Sequence, residues 1–197
     1  MNICCRLCDI DNIEVPILDG SSENFVELIE KAGIVEQDSP RHTLKITKRV
    51  AVDLGGRRMS VEPADRFEIE CVIDFPHPFI KRQAFTYVPD NGSFGREIAS
   101  ARTFGFTHEI EMLCKANLAQ GGSLDNAIVL TGDGMLNETP LRFADEFVRH
   151  KILDIIGDLA LLGMPVQGKF TAEKSGHSIH AQLLSKLLKT DGAWHVV

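Results

Sequence analysis

The sequence predicts an α+β fold, and three observations carry that expectation. Short apolar–polar alternations crowd residues 43 to 89, a long helical pattern runs through LRFADEFVRHKILDIIGDLALLG (141 to 163), and an amphipathic stretch, GHSIHAQLLSKLLKT (176 to 190), comes near the end. Alternation at a period of two suits a half-buried strand, whereas apolar residues at i, i+3 and i+4 suit a helix.

Taken in order, EVPILDGSS (14 to 22) reads as a short strand and turn, and the polar SSEN opens a helix over FVELIEKAGI (25 to 34) that Gly33 ends. VEQDSPRH (35 to 42) is polar and holds Pro40, which makes it the candidate linker and puts a boundary near residue 40. TLKITKRVAVDLGG, RRMSVEPA and RFEIECVIDF then read as three strands of a meander, with QAFTYVP as a further strand. After the NGS turn, FGREIASART (94 to 103) reads as a helix capped by Ser93, and FTHEIEMLCKANL (106 to 118) as a second helical segment. AIVL is short and β-rich. The long helix of residues 141 to 163 is ended by Pro165, VQGKFTAEK (166 to 174) is strand-like, and the closing helix carries its leucines on one stripe.

Composition narrows the function. The 197 residues suffice for one domain with a full core, or for a domain and a fragment of another. An apolar share of 44% with 25% charged residues is that of an ordinary folded protein. A net charge of -7 argues against nucleic acid, whose phosphates demand clustered Lys and Arg. No apolar run approaches the roughly 20 residues that cross a bilayer, and MNICCRLCDID lacks the apolar core of a signal peptide, so a cytoplasmic location is expected. Five cysteines, with Cys4, Cys5 and Cys8 crowded together, suggest free thiols; Cys5 and Cys8 form one C-x-x-C without a second pair to complete a four-thiolate site. There is no internal repeat, P-loop, G-x-S-x-G elbow or Rossmann fingerprint, and GGSLDNA reads as a turn before a strand.

The chemistry concentrates in RHKILDIIGD, which sets His150, Asp154 and Asp158 four residues apart. At about 3.6 residues per turn these three stack on one face of a helix that is otherwise apolar nearly all round. Burying two unpartnered carboxylates costs several kcal/mol, and a cation is the simplest compensation. A His and an Asp at i and i+4 reach into one small volume, the logic that makes the H-E-x-x-H helix a zinc site. Pairing of His150 with Asp154, or of the stripe with Arg149 and Lys151, on a partly solvated face is the alternative that spacing leaves open. KSGH (174 to 177) lies between a predicted strand and a predicted helix, where His177 could act as an acid with Asp158 holding its tautomer; a helix-capping or surface role is the other reading. His180 is expected to face solvent, as are His42, His108 and His195.

RTFGF (102 to 106), GGSLDNAIVL (121 to 130), LRFADEFVRHKILDIIGDL (141 to 159) and FTAEKSGH (170 to 177) together resemble the UDP-3-O-acyl-N-acetylglucosamine deacetylases. ILDGSSENFVELIEKAGI (17 to 34) and IDFPHPFI (73 to 80) extend the resemblance, in order, from about Val15 to near the C-terminus. It implies a cytoplasmic, Gram-negative zinc amidohydrolase that removes acetate from a UDP-linked, 3-O-acylated glucosamine in lipid A biosynthesis. The fold implied is a two-domain sandwich of mixed sheets with paired helices packed between them, the first domain incomplete. Residues 1 to 40 would be its remnant, and residues 41 to 197 the second domain with an acyl-passage insertion at about 104 to 130. By the same resemblance His150 and Asp154 are zinc ligands, His177 is the catalytic histidine, Asp158 orients it, and Thr103 lies near the developing oxyanion. Lys151 and Lys174 fall near the diphosphate, Asp74 and Phe75 at the uracil, and Phe104, Phe106, Ile110, Leu124, Ala127 and Val129 along the acyl passage. The family's Glu-His pair, a third zinc ligand and a general base before the ILDG segment, has no counterpart in MNICCRLCDIDNIE. The alternative expectation is therefore a catalytically inactive homologue that binds the nucleotide sugar or acyl ligand, or one that a complementing chain completes.

Overall fold

A computed structural model describes residues 8–11, 15–109 and 121–197. Its organising strand is β8 (Val166–Glu173), whose residues alternate strictly between buried and half-buried. Val166, Phe170 and Ala172 supply one apolar face, and Gly168 lies where a Cβ would come within 2.7 Å of Ile46 Cγ1. The missing side chain lets β1 (Leu44–Ile46) approach closely. β8 runs parallel to β1 and to β4 (Phe67–Asp74) and antiparallel to β3 (Arg57–Glu62). β2 (Val50–Leu54) pairs with β3 across the Gly55-Gly56 turn, and β5 (Arg82–Tyr87) pairs with β4. β9 (Trp194–Val196) completes the seven-stranded sheet beside β1. A two-stranded parallel sheet joins β6 (Phe104–Phe106) to β7 (Ile128–Leu130).

Among the described residues, three α-helices accompany the sheets: α1 (Glu23–Ala32), α2 (Glu146–Leu159) and α3 (His177–Lys189). α2 and α3 bury Phe147, Val148, Ile152, Ile155, Ile179, Leu183 and Leu187, which join Ile46, Met59, Val61, Ile69 and Phe170 of the sheet in one core. Full burial of each such side chain stabilises the fold by about 1.5–3 kcal/mol. Cys71 lies in this core as a free thiol, and burial pushes it up to about 12, which leaves it inert. The α+β class and the pairing of sheets with helices agree with the sequence.

Several local expectations are corrected. The meander fails because β8 inserts between β3 and β4, a pairing about 100 residues away in sequence that local pattern cannot show. FGREIASART forms only a short π-helical turn, Phe94–Ile98, and Ser93 caps nothing; its hydroxyl accepts from Asp90 N at 2.8 Å. α2 begins at Glu146, and the chain leaves helix at Gly163 (φ 74°) after a 3-10 turn, Ala160–Leu162, so glycine and not Pro165 makes the stop. Val15–Ile17 is not a strand; Gly20 (φ 80°) and the Asp19 carboxylate, which accepts from Ser21 N and Oγ, make a turn. Cys4, Cys5, Ile110 and most of FTHEIEMLCKANL lie outside the described residues.

α1 matches expectation, with Gly33 (φ 83°) at its end, but buries none of its residues. Val15, Ile17, Leu28, Ile34 and Val35 are exposed, and residues 35–42 are exposed without regular structure. Limited proteolysis should therefore cut within residues 33–43 before it cuts β2 to β5. Equal resistance of the two regions would show that α1 is held far more firmly than its burial indicates.

Candidate metal and acid–base site

Several of the predicted site residues lie at one end of the main sheet, and the β4–β8 register explains the placing of two of them. Val72 pairs with Glu173 in parallel, so Asp74, two residues beyond Val72, and Lys174, one residue beyond Glu173, emerge together at the strand ends. Crevices beyond the carboxyl ends of parallel strands are recurrent ligand sites. Lys174 Nζ meets Asp74 Oδ2 at 2.8 Å, while its backbone adopts φ 50° and its N–H donates to Val72 O at 2.9 Å. A non-glycine residue in this left-handed region stores strain, held here by the sheet end.

α2 brings its stripe to the same end. His150 is buried, and its Nδ1 lies 2.9 Å from Ala101 O, which can only accept. Nδ1 therefore carries the proton, and in the neutral ring Nε2 presents a lone pair. Burial holds His150 below its ordinary value, against smaller opposite pulls from Asp154 and the Ala101 hydrogen bond, so the neutral ring is favoured. Nε2 faces Asp154 Oδ1 at 3.4 Å, while Lys151 Nζ takes the other oxygen, Oδ2, at 2.9 Å. Two lone-pair atoms thus face one another across a gap that suits a cation. Ligands about 2.0–2.2 Å from one tetrahedral zinc lie roughly 3.3–3.5 Å apart, and a backbone bond orienting the other ring nitrogen is the usual support for a ligating histidine.

One turn along, Asp158 Oδ2 accepts from His177 Nδ1 at 2.8 Å and from His180 Nδ1 at 2.6 Å. These are hydrogen-bond separations. Asp158, His177 and His180 are also the group, among the described residues, whose donor atoms lie within 4.8 Å of one another and could hold a metal ion. Imidazole nitrogens with a carboxylate oxygen form a donor set that suits zinc. The expectation that His180 faces solvent is overturned: it is 1% exposed, and its Nε2 meets Ser175 Oγ at 2.9 Å. Its position explains this, since Leu183, Leu184 and Leu187 follow at i+3, i+4 and i+7 on the buried face of α3. His42, His108 and His195 are exposed as expected.

The apolar candidates are brought together in part. The Phe75 ring lies 5.9 Å from that of Phe104 and 5.8 Å from that of Phe106, and Lys151 Nζ sits 5.1 Å above the Phe104 ring. Thr103 is held on both sides through its backbone, donating to Gly20 O and accepting from Ile128 N at 2.8 Å each. Val129 is buried, Ala127 half-buried and Leu124 exposed. Asn137, to which no local pattern draws attention, ties this segment down: Nδ2 donates to Leu124 O and Ala127 O, and Oδ1 accepts from Val129 N, all at 2.8 Å.

Burial also lowers His180, with Asp158 pulling the opposite way, so His150 and His180 both resist protonation in the fold. As pH falls through 6.5, the unfolded chain takes up protons that the folded chain refuses. Stability of the metal-free protein should be fully present above that pH and decline below it, as read by urea unfolding at stepped pH. A rise in stability across the same window would contradict the burial of these rings.

An α+β fold with a His/Asp donor set suited to zinc beside a carboxylate-bound histidine defines a class of metal-binding proteins. More particularly, the chain belongs to the UDP-3-O-acyl N-acetylglycosamine deacetylase family, whose profile matches residues 1–189. It is 47% identical over 189 residues to the UDP-3-O-acyl-N-acetylglucosamine deacetylase of Myxococcus xanthus (strain DK1622), covering 96% of this chain and 60% of that protein. Over 186 residues it is 50% identical to the protein of the same name from Pseudomonas entomophila (strain L48), covering 93% of this chain and 61% of that one. The chain thus spans about three fifths of the length of these relatives. Among the described residues, no helix is long and apolar enough to cross a membrane.

Proposed function

We propose that the protein serves as a zinc-dependent amidohydrolase that removes acetate from UDP-3-O-acyl-N-acetylglucosamine in lipid A biosynthesis, in the cytoplasm of a Gram-negative cell. The observation that carries this reading is the 3.4 Å gap between His150 Nε2 and Asp154 Oδ1, both presenting lone pairs. His150 and Asp154 would hold the metal. Zinc there supplies Lewis-acid polarisation of an amide carbonyl and acidification of water. The remaining work falls to side chains. Asp158 accepts from Nδ1–H of His177, and the doubly protonated ring, which carries a proton on Nε2 as well, passes that Nε2 proton to the departing amine as the amide C–N bond breaks. Thr103 supports the oxyanion, Lys151 and Lys174 neutralise the diphosphate, Asp74 and Phe75 receive the uracil, and Phe104, Phe106, Leu124, Ala127 and Val129 flank the acyl chain. Residues 1–40 belong to one domain of this assembly and 41–197 to the other, which carries the acyl passage.

The test pairs zinc content with a deacetylation assay on the purified chain, with and without added zinc. Bound zinc with release of acetate would support this reading. Tight binding of the nucleotide sugar with neither zinc nor turnover would instead support a noncatalytic binding role, or a need for a complementing chain. That second reading draws on the Asp74–Lys174 pair, which the sheet ends assemble independently of the metal donors.

A further inference from the structure

The mechanism above leaves His180 unused, although it makes the shorter of the two bonds to Asp158. We propose that His180 is a positioning residue, which fixes the Asp158 carboxylate so that His177 presents Nε2 to the site. The inference deepens the deacetylase reading and rests on it for its catalytic meaning. His177 has a 70% exposed side chain and, among the described residues, one polar partner, Asp158 Oδ2 at 2.8 Å, and one ring neighbour, His180, at 6.0 Å between centroids. An exposed imidazole on a free carboxylate would change rotamer and tautomer readily. Asp158 is not free: buried His180 donates to the same oxygen at 2.6 Å, where low dielectric strengthens a charge-assisted bond. Nδ1 is thereby the protonated nitrogen of His180, and Nε2 accepts from Ser175 Oγ at 2.9 Å. Ser175 belongs to the short loop that delivers His177 to the start of α3. One buried ring therefore clamps the carboxylate and the loop together.

His180→Asn keeps a donor at the Nδ1 position, and His180→Gln keeps a polar group only at the Nε2 position. Both remove the ring, so loss of packing is common to them and cancels in the comparison. The readout is the imidazole tautomer of His177, from long-range proton–nitrogen correlation spectra of the full chain, without added metal and at mildly alkaline pH. The Nδ1–H form of His177 should predominate in the parent and in His180→Asn, and give way to Nε2–H in His180→Gln. Identical His177 tautomers in the two variants would overturn the proposal. With substrate, His180→Gln should lower kcat about tenfold at unchanged KM, with recovery in His180→Asn; equal kcat would also overturn it. Absence of turnover in the parent would count against the deacetylase reading alone, since the tautomer comparison needs no activity.

Discussion

Replacing His150 with alanine is expected to weaken zinc binding more than about 100-fold, beyond the 10–100-fold usual for losing a mere supporting residue. The side chain is preset as a ligand by its bond to Ala101 O, which leaves Nε2 facing Asp154 Oδ1 at 3.4 Å. On the proposed mechanism His177→Ala should do the reverse: zinc stays, while kcat falls by about 10²–10⁴ through loss of the proposed proton carrier. The exposed His177 contributes little packing, so that variant folds as the parent does. Zinc titration of both variants, with acetate release measured alongside, separates the roles. Zinc that survives His150→Ala but disappears with His177→Ala would move the metal one turn along α2, to Asp158.

The second large effect is structural. Glu146 is fully buried, and its Oε1 accepts from Arg102 N and Nε while its Oε2 accepts from Arg142 N and Arg102 Nη2. Arg102, itself 7% exposed, also donates to Pro140 O and Thr139 Oγ1. Glu146→Ala strands that guanidinium in the interior and should cost about 3–5 kcal/mol. For a chain of this size that lowers Tm by on the order of 10 °C. Asp90→Ala breaks an exposed pair with Arg96 and should cost no more than about 1 kcal/mol. A calorimetric loss for Glu146→Ala as small as that for Asp90→Ala would mean that Arg102 finds water or another acceptor. Because Arg102 precedes Thr103 and Phe104, the destabilised variant should also loosen the predicted substrate side of the site.

Periodicity made β4, β8 and α3 readable, since each is long enough for burial to repeat at its own period, while α1 was legible from the spacing of its apolar residues although none of them is buried. β9 is three residues long and half exposed, too short to leave such a trace. The order of the sheet was beyond local pattern, because the partners of β8 are set by which edges remain open after the chain has doubled back. In the site, the four-residue spacing of His150, Asp154 and Asp158 was legible and the structure places them on one buried helix. The burial of His180 was present in its spacing to Leu183, Leu184 and Leu187, but a polar residue type masked it. The Arg102–Glu146 tie spans 44 residues and has no sequence period at all.

The central place of β8 has a consequence for synthesis. A ribosome delivers residues 1–165 before the strand that joins β1, β3 and β4 exists, so the hairpins β2–β3 and β4–β5 must wait with one flank of each unpaired. Such flanks are templates for pairing with another chain. Sheet closure, with its long sequence separations, is then a late and slow event. Nascent chains halted shortly before Val166 emerges should be a preferred cargo for ribosome-associated chaperones, and release of that cargo should coincide with the arrival of β8.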